Sequence, residues 1–278
     1  MTIAEIIEKA LAEDIGDGDH SSLLAVNEGE TGKAELVAKE NGIIAGIAIG
    51  SQVFKTMDEN LAIEPCLQDG AAVEKGTVLM RVSGNVRSIL GAERLVLNFM
   101  QRMSGIATVT NHYCQLIQGT HARLLDTRKT TPNMRLLEKM AVRIGGGYNH
   151  RMGLYDMIML KDNHIDFAGG IENAVKKALE YKVMNRLAIP IEVETRSLSD
   201  VEKVMQLRGI NRIMFDNFSV EDVRKGVKLV NGCFETEASG NINEQTIRSY
   251  AETGVDFISV GALTHSVKSL DISLLAVK

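Results

Sequence analysis

The sequence has few cysteines and no long apolar stretch, and both absences limit what the protein can be. Its 278 residues include only Cys66, Cys114 and Cys233, which are far apart and form no CxxC pair. Neither a disulfide framework nor a structural zinc site is therefore expected. No run of about 18 apolar residues could form a transmembrane helix, and residues 1–9 do not resemble a signal peptide. We expect a cytoplasmic protein that does not enter a membrane.

An excess of positive charge is also absent. The formal net charge is −5, so the surface as a whole is not suited to nucleic acid or to anionic membranes. Hydrophobic residues make up 45% and charged residues 24% of the chain, which is ordinary for a globular protein and argues against disorder. A site for anions would therefore have to be a local reversal of the average charge.

Three motifs that would indicate a particular function are missing. No GxGxxG motif follows the first predicted strand, which argues against a dinucleotide-binding fold. The acidic stretch Glu13–Asp19 lacks the glutamate that completes an EF-hand loop, so a calcium site is not expected. The turn Asp69–Gly76 resembles those of small swapped-hairpin modules, but it lacks the lysine that would carry biotin or lipoate.

The residues before about position 120 predict short strands followed by one long helical region. Glycine-bounded apolar runs predict strands at Lys33–Lys39, Ile43–Ile49 and Val78–Val82. Apolar residues at helical spacing predict a helix from residue 87 to about residue 118, broken around Ser104–Gly105. We assign residues 1–118 to an N-terminal domain with its linking helix, and we expect residues 269–278 to return to it.

After residue 120, apolar runs rich in β-forming residues alternate with helical patterns. Strands that are buried on both faces and alternate with helices predict a parallel sheet, and at least six of them favour a closed or nearly closed barrel. We assign residues 119–268 to this barrel domain. The predicted strands are Arg123–Asp126, Met157–Lys161, Ile189–Glu194, Arg212–Asp216, Cys233–Glu237 and Asp256–Val260, and the predicted helices are Ile171–Tyr181, Ser199–Leu207, Val220–Val230 and Asn243–Thr253.

One residue pattern recurs where these predicted strands end. The carboxyl ends of barrel strands meet at one mouth, where barrel enzymes carry out their chemistry. Solvated loop charges would explain one or two polar strand ends but not six in register. The strand ends expected to converge on one site are Asp126, Lys161, Glu194, Asp216, Glu237 and Gly261.

A local excess of basic residues lies at this predicted mouth. Between residues 123 and 164 there are eight lysines and arginines against four acids, a balance of +4. Arg128 and Lys129 follow the first strand end, and His150, Arg151 and Lys161 come next. A guanidinium can hold a carboxylate or phosphate through two hydrogen bonds, and an ammonium adds a mobile charge. The cluster predicts a site for small, highly charged anions.

Loops rich in glycine accompany the basic cluster. Gly145–Gly147 precede the histidine–arginine pair, so the backbone there can approach a ligand and offer amide groups. Ser239, Gly240 and Gly261 follow the last two strands, where barrel loops often form a cradle for phosphate. An ordinary tight turn would use the same small residues, so both interpretations of these loops stay open.

Two acids, Glu194 and Asp216, end neighbouring predicted strands. They are suited to hold Mg²⁺ beside a polyphosphate, because Mg²⁺ uses one or two carboxylates together with phosphate oxygens and water. The alternative is that each acid pairs with a barrel lysine or arginine in a structural salt bridge. Glu192 should point to the same side as Glu194, deeper in the barrel, and we interpret it as the more structural of the two.

Seven strings of residues connect these observations: DTRKTTP (Asp126–Pro132), GGGYNHRMG (Gly145–Gly153), KDNHI (Lys161–Ile165), IEVE (Ile191–Glu194), EASG (Glu237–Gly240), GALTHS (Gly261–Ser266) and LDISL (Leu270–Leu274). In order and spacing they resemble the quinolinate phosphoribosyltransferase family, over the chain from about Glu13 to the end. The resemblance implies an α/β fold with an N-terminal α/β sandwich domain and an incomplete α/β (TIM-like) barrel. It also implies a homodimer or hexamer.

The reaction implied by the resemblance joins quinolinate to phosphoribosyl pyrophosphate. With Mg²⁺, it gives nicotinate mononucleotide, pyrophosphate and CO₂ in NAD synthesis. Arg128, His150, Arg151 and Lys161 would grip the two carboxylates of quinolinate and neighbouring groups. Arg94 would reach the active site of the neighbouring subunit.

The resemblance implies a second set of residues around phosphoribosyl pyrophosphate. Glu237 would orient these groups. The catalytic set would be Lys129, Lys161, Glu194 and Asp216. The implied contacts are Lys129, Lys161 and His265 with phosphoribosyl pyrophosphate, Glu194 and Asp216 with its ribose and the metal, and Ser239, Gly240 and Gly261 with its 5′-phosphate.

Two positions depart from the family pattern. Asn133–Met134 replaces a usual Gly-Leu pair, and Asn241 stands where a second glycine is usual. Because asparagine tolerates left-handed backbone conformations, we expect both loops to keep their shape.

Two other hypotheses stay open. One is the paralogous protein of molybdenum-transport clusters, which shares much of this barrel. The other is a non-catalytic, anion-binding or regulatory barrel. The basic residues for a diacid and the strings GALTHS and LDISL favour the quinolinate enzyme, and turnover of quinolinate with phosphoribosyl pyrophosphate separates the hypotheses.

Overall fold

The structure is a computed structural model that describes residues 1–277. None of the helices in this described part of the chain is long and apolar enough to cross a membrane. The helices are α1 (Ile3–Ile15), α2 (His20–Ala25), α3 (Ile47–Met57), α4 (Val86–Leu116), α5 (Arg135–Ile144), α6 (Asp162–Ala168), α7 (Ile171–Met184), α8 (Leu198–Met205), α9 (Val220–Val230), α10 (Ile247–Ala251) and α11 (Ala262–His265). The strands are β1 (Thr31–Ala38), β2 (Gly42–Ile43), β3 (Ala62–Pro65), β4 (Ala72–Val73), β5 (Val78–Asn85), β6 (Arg123–Leu125), β7 (Ile158–Leu160), β8 (Ile191–Thr195), β9 (Arg212–Asp216), β10 (Glu235–Ser239), β11 (Phe257–Ser259) and β12 (Ile272–Val277).

The chain folds into two compact units, each built from segments that are distant in the sequence. The first unit contains residues 1–111, 130–146 and 263–277, and the second contains residues 112–129 and 147–262. The domain boundaries expected at residues 118 and 268 stay a prediction.

The first unit contains a four-stranded antiparallel sheet in the order β12-β1-β5-β3. β1 pairs with β12 in the register Leu36↔Leu274, and its other edge pairs with β5. Along β1, Ala34, Leu36 and Ala38 are buried, so alternate side chains of the strand form part of the core. The last strand of the chain, β12, therefore forms one edge of this sheet and pairs with the first strand, β1.

The strand predicted at Ile43–Ile49 is wrong over most of its length. Only Gly42–Ile43 forms a strand, β2, and helix α3 begins at Ile47. Gly46 precedes the helix in a left-handed conformation, with φ 94°. A Cβ at Gly46 would lie 3.1 Å from the Met103 sulfur, so the chain turns here in close contact with α4. A run of apolar residues can be buried in a helix as well as in a strand, and here packing against α4 decides for the helix.

The helix break predicted at Ser104–Gly105 is also wrong. Helix α4 is continuous over 31 residues. Glycine is required at position 105 because the carbonyl oxygen of Lys268 passes so close that a Cβ would overlap it. The glycine therefore indicates a close backbone contact and not a helix end.

The second unit contains six parallel strands in the order β6-β11-β10-β9-β8-β7. β6 and β7 lie at the two ends of this hydrogen-bonded series, as in a barrel that does not close. Helices α7, α8, α9 and α10 alternate with the strands. The predicted fold class, an incomplete α/β barrel with an additional α/β domain, is confirmed.

Strand β8 shows how the sequence directs acids towards one face of the barrel sheet. All five of its residues are buried. Successive side chains of a strand point to opposite faces, so Glu192 and Glu194 share one face and Val193 points to the other. Glu192 is fully buried, whereas Glu194 is 6% exposed. Glu192 therefore lies deeper than Glu194, as predicted.

Strand β10 extends two residues beyond its predicted end. It was expected at Cys233–Glu237 but comprises Glu235–Ser239, so Ser239 ends the strand. The prediction that Glu237 is a strand end is wrong, because Glu237 lies in the middle of β10 and is fully buried. Its charge is tolerated inside the unit because it lies beside the basic groups of His150 and Arg212.

Candidate active site

The segment Gly147–Arg151 extends the parallel sheet at the free edge of β6. The Tyr148 N–H donates to the Leu124 carbonyl at 2.8 Å, whereas the opposite edge of β6 pairs with β11. Asp126 follows β6 directly and is fully buried, and its Oδ1 accepts the backbone N–H of His150 at 2.8 Å. The first strand end thus fixes the loop that carries His150 and Arg151.

Within the basic cluster, the charge of Arg128 acts on the guanidinium group of Arg151. Arg151 is buried, with 9% of its surface exposed, and Arg128 is half-buried. Burial and then the charge of Arg128 lower the pKa of Arg151. Arg151 Nη1 donates to the Met157 carbonyl at 3.2 Å, which orients its side chain. Two like charges near each other, one of them buried, favour an anion between or beside them.

Lys161 and Glu194 form an ion pair at the ends of neighbouring strands. Lys161 Nζ lies 3.3 Å from Glu194 Oε2. The lysine is half exposed, so its ammonium can move towards a ligand. The backbone N–H of Lys161 donates to His164 Nδ1 at 3.0 Å. The His164 side chain thereby fixes the backbone at the start of helix α6.

The loops after β9 and β10 are joined by asparagine side chains. Asn217 follows Asp216 and donates from Nδ2 to the Asp216 carboxylate at 2.7 Å. Its own Oδ1 accepts from Asn241 Nδ2 at 3.0 Å and lies where a Cβ at Gly240 would be. Gly240 has φ 95° and Asn241 has φ 52°. Only glycine therefore fits at position 240.

Both unusual asparagines adopt a left-handed backbone conformation, whereas the expectation that their loops keep the family's shape stays a prediction. Asn133 has φ 64° and Asn241 has φ 52°, both in the left-handed region that glycine would otherwise occupy. The loops accept asparagine because its short polar side chain tolerates this conformation.

Gly145, the first of the three glycines predicted to approach a ligand, packs closely against helix α4, and the ligand role of the three stays a prediction. A Cβ on it would lie 2.5 Å from the Ala107 carbonyl oxygen and 2.7 Å from the Thr110 side chain, both on α4. This glycine is therefore needed for close packing between backbone segments. Gly146 has φ 97° and supplies the turn that follows α5.

A buried charged cluster lies next to the predicted site, and sequence reasoning identified only part of it. We call it the interior network; it consists of the side chains of His150, Glu192, Arg212 and Glu237. His150 Nε2 lies 3.1 Å from Glu192 Oε2 and 3.3 Å from Glu237 Oε2. Arg212 Nη1 donates to Glu237 Oε2 at 2.8 Å. Both glutamates are fully buried, and 4% of the His150 side chain is exposed.

The charges in this network shift the pKa values of its members. Burial opposes the charged form of His150, but the two neighbouring carboxylates outweigh burial and raise the pKa of its ring to about 9. Burial and the charge of Glu237 raise the pKa of Glu192. Burial would also raise the pKa of Glu237, but His150 and Arg212 outweigh it and lower that pKa. Glu237 is therefore the carboxylate that stays ionised.

Arg212 was not among the predicted site residues. It begins strand β9, where an arginine looks like an ordinary surface charge, and its guanidinium lies 3.9 Å above the ring of Phe257. The available signal was its position two strand repeats before Asp216, on the same face of β9 as the acid. The sequence does not show that Glu237 comes from the next strand to meet it.

Ten of the twelve residues expected to contact a substrate or the metal lie in the second unit. Lys129 is exposed, and its backbone N–H donates to Thr127 Oγ1 at 3.0 Å. Arg94 is exposed on α4, His265 is exposed on α11, and both belong to the first unit. The ten in the second unit are Arg128, Lys129, His150, Arg151, Lys161, Glu194, Asp216, Ser239, Gly240 and Gly261.

Comparison with known proteins agrees with this architecture. The C-terminal domain of quinolinate phosphoribosyl transferase matches residues 106–275, and its N-terminal domain matches residues 19–104. The chain is 48% identical to a chloroplastic nicotinate-nucleotide pyrophosphorylase [carboxylating] of Oryza sativa, with 97% of this chain and 76% of the relative covered. It is 43% identical to a probable enzyme of the same name in Bacillus subtilis, with 99% and 93% covered.

A solved structure gives the same result. The crystal structure of NadC from Streptococcus pyogenes superposes with a TM-score of 0.93 at 38% identity, covering 99% of this chain and 97% of that chain. Both domains of the family, full-length relatives and the fold all agree. The chain belongs to the quinolinate phosphoribosyltransferase family.

Proposed function

We infer that this protein transfers the phosphoribosyl group of phosphoribosyl pyrophosphate to quinolinate. The products are nicotinate mononucleotide, pyrophosphate and CO₂, and the reaction belongs to de novo NAD biosynthesis. The family and the relatives from rice and Bacillus subtilis support this function. The observation that carries it is the buried Arg151 beside Arg128, because two neighbouring guanidinium groups are suited to a small dicarboxylate.

Quinolinate is held by the basic groups around Arg128 and Arg151. Each guanidinium can hold a carboxylate through two hydrogen bonds, and Lys161 adds a mobile positive charge. Both substrates are anionic, so their approach in water is opposed by charge repulsion. A cationic cleft offsets this repulsion and holds the ring nitrogen near the anomeric carbon of the ribose.

The transfer forms a bond from the pyridine nitrogen to the anomeric carbon while the bond to pyrophosphate breaks. Positive charge develops on the ribose, and the carboxylates of Glu194 and Asp216 stabilise it. Lys129 and Lys161 neutralise charge on the leaving pyrophosphate. The bond to the carboxylate adjacent to the ring nitrogen then breaks, its electron pair remains on the ring carbon, and that carbon takes up a proton. The cationic ring nitrogen stabilises this electron pair.

Glu194 and Asp216 also fit a Mg²⁺ site. They place two carboxylates at the carboxyl ends of the neighbouring strands β8 and β9, and Mg²⁺ needs only one or two beside substrate oxygens and water. The ion would neutralise charge on the pyrophosphate group. The pairing of Glu194 with Lys161 suits this role, since the lysine can move to a phosphate when a cation takes its place.

Magnesium dependence is directly testable. We expect EDTA to abolish turnover and added Mg²⁺ to restore it, and we expect Glu194→Gln and Asp216→Asn to raise the Mg²⁺ concentration needed for half-maximal rate. Asp222→Asn, which changes a surface carboxylate on α9 that is 44% exposed, is the control and should leave the requirement unchanged. Full activity in excess EDTA would contradict the proposal.

The complete active site further includes a neighbouring subunit. Arg94 is exposed on α4 and is available to enter the site of a partner in a homodimer or hexamer. His265, Ser239, Gly240 and Gly261 contribute to binding phosphoribosyl pyrophosphate. We place the protein in the cytoplasm.

A single assay tests the function. The purified protein is incubated with quinolinate, phosphoribosyl pyrophosphate and Mg²⁺, and nicotinate mononucleotide and CO₂ are measured. We expect both products in equal amounts. Binding of quinolinate without turnover would favour a non-catalytic anion-binding barrel, and absence of both binding and turnover would favour a paralogue with another substrate.

A further inference from the structure

The interior network ties together parts of the second unit that are not adjacent in the sheet. Glu192 comes from β8, Arg212 from β9 and Glu237 from β10, whereas His150 comes from the segment at the free edge of β6. β6 pairs with β11 and does not pair with β8. The contacts of His150 therefore connect the segment beside β6, at one end of the strand series, to β10 and to β8, which is the neighbour of the other end strand, β7.

Both ring nitrogens of His150 face protein groups. Nδ1 accepts the backbone N–H of Arg151 at 2.7 Å, and Nε2 faces Glu192 and Glu237. While Nδ1 accepts this N–H it carries no proton, so the ring is neutral and its one proton lies on Nε2, beside the carboxylates. This hydrogen bond opposes the charged form of the ring that the two carboxylates favour. The ring is thus held at two points. The ring therefore connects the two glutamates to the backbone of Arg151.

The same three side chains have the spacing of a metal site. Ligand atoms of His150, Glu192 and Glu237 all lie within 4.8 Å of one another. Arg212, however, contacts Glu237 at 2.8 Å and occupies the position of a cation. The network already balances its carboxylates with basic groups, so a divalent ion is disfavoured there by charge repulsion.

We propose that Glu192 and Glu237 are positioning residues that hold the His150 ring and, through it, keep Arg151 in place for quinolinate. This inference rests on the proposed function. Both glutamates are fully buried and lie beside the His150 ring. Glu194 and Asp216 lie on strands β8 and β9, and Lys161 directly follows β7, so we expect the site for phosphoribosyl pyrophosphate not to depend on the His150 ring.

The test uses Glu192→Met in the full-length protein. Methionine has a similar volume to glutamate but lacks the carboxylate that lies beside Nε2 of the ring. The ion pair of Arg212 with Glu237 stays intact, and its net charge is zero. We expect KM for quinolinate, and its Kd by calorimetry, to rise about tenfold. We expect kcat and KM for phosphoribosyl pyrophosphate to change less than about threefold. Glu192→Gln keeps an acceptor oxygen and should restore most of the affinity.

A matched control and a second variant separate positioning from general stability. Glu235→Met removes an exposed partner of the same arginine, Arg212, and should leave both KM values within about twofold. In a His150→Asn background, Glu192→Met should add less than about twofold, because the residue through which it acts is already lost.

Three results would overturn the inference while leaving the proposed function intact. The first is a fall in Tm with both KM values unchanged, which a purely structural residue would give. The second is the full effect of Glu192→Met persisting in the His150→Asn background. The third is one tightly bound zinc per chain in the purified wild-type protein. If the wild-type protein itself fails to turn over quinolinate, the proposed function fails instead.

Discussion

At the scale of single residues, Arg151 differs from an arginine in an ordinary surface salt bridge. Its surface is 9% exposed, and burial and the nearby charge of Arg128 both lower its pKa. A buried guanidinium that is destabilised by another positive charge gains more from an anion than an exposed one does, because little water competes for its hydrogen bonds.

Arg151→Lys tests this directly. Lysine keeps the charge but loses the planar, two-pronged contact with a carboxylate and the hydrogen bond to the Met157 carbonyl. We expect KM for quinolinate to rise about 10- to 100-fold, which corresponds to about 1.4–3 kcal/mol. Arg224→Lys, on the outer helix α9 with 40% of its side chain exposed, is the control and should change KM less than about twofold. Equal effects of the two substitutions would contradict a special role for Arg151.

The surroundings of His150 do not follow from the motif in which it lies. The motif that contains it indicated a contact with quinolinate, and that contact stays a prediction. Its surroundings, with Glu192 and Glu237 at one nitrogen and the Arg151 N–H at the other, depend on segments that are far apart in the sequence. No local pattern states that two fully buried carboxylates from β8 and β10 meet one ring.

At the scale of elements, α4 shows that a glycine inside a helix has more than one meaning. The sequence pattern at Gly105 indicated a break, but the helix is continuous, and the backbone of Lys268 passes against it. Only the position of a segment about 160 residues later in the chain explains the glycine.

Gly105→Ala should therefore destabilise the protein although alanine favours helices. We expect the free energy of unfolding in urea to fall by about 1–3 kcal/mol, because the new Cβ must displace a backbone carbonyl. Gly91→Ala in the same helix is the control: its Cβ would meet only the terminal methyl group of Met57, which can move aside. That substitution should be neutral or stabilise by up to about 1 kcal/mol. A neutral Gly105→Ala would show that the contact is loose.

The carboxylate of Asp256, the residue before β11, links that strand to Thr236 of β10. Asp256 Oδ2 accepts the backbone N–H of Thr236 at 2.8 Å and its hydroxyl at 2.7 Å, and Oδ1 lies 2.9 Å from His121 Nε2. Burial would raise the pKa of Asp256, but the hydrogen bonds from Thr236 and the contact with His121 outweigh it and lower that pKa. The ionised form is therefore the one that stabilises the fold.

The sign of this effect gives a pH-dependent prediction. A lowered pKa means that the carboxylate contributes stability above its ordinary pKa, and that the contribution is lost as pH falls through the lowered pKa. Asp256→Asn should cost about 1 kcal/mol of unfolding free energy near pH 7, a small value because the group is partly exposed, and the difference from wild type should shrink below about pH 4. Asp17→Asn, at a side chain 94% exposed, should show no such trend. A difference that is constant with pH would contradict the assignment.

At the scale of the whole molecule, the predicted site residues come from both units of the chain. Ten predicted residues belong to the second unit, and Arg94 and His265 belong to the first. The resemblance assigns Arg94 to the active site of a partner subunit. In a symmetric oligomer, each subunit can contribute its Arg94 to a neighbouring active site and receive the Arg94 of a neighbour in its own.

Subunit exchange tests the shared site. Arg94→Ala and Lys161→Ala proteins should each be inactive, and mixing them under conditions that allow exchange should restore up to about one quarter of the wild-type sites in a dimer. The restored sites take Arg94 from one subunit and Lys161 from the other. Two samples of the same variant mixed with each other are the control. No recovery after demonstrated exchange would show that Arg94 does not act across the interface.

The sequence by itself determined the alternation of strands and helices, the order of the motifs and the basic cluster. Strand β9 and helix α9 have their predicted bounds, because apolar periodicity is a local property that burial enforces wherever the segment packs. The family follows from the same motifs, since their order and spacing lie in the chain itself.

Only the tertiary structure decided which side chains meet. Glu237 lies in the middle of a strand, where it forms an ion pair with Arg212. Gly105 is needed because the backbone of Lys268, which is distant in sequence, passes close to it. The physical reason is that the energetic effect of a buried charge or of a missing Cβ depends on the groups that surround it. Those neighbours come from other strands and helices, which no local pattern specifies.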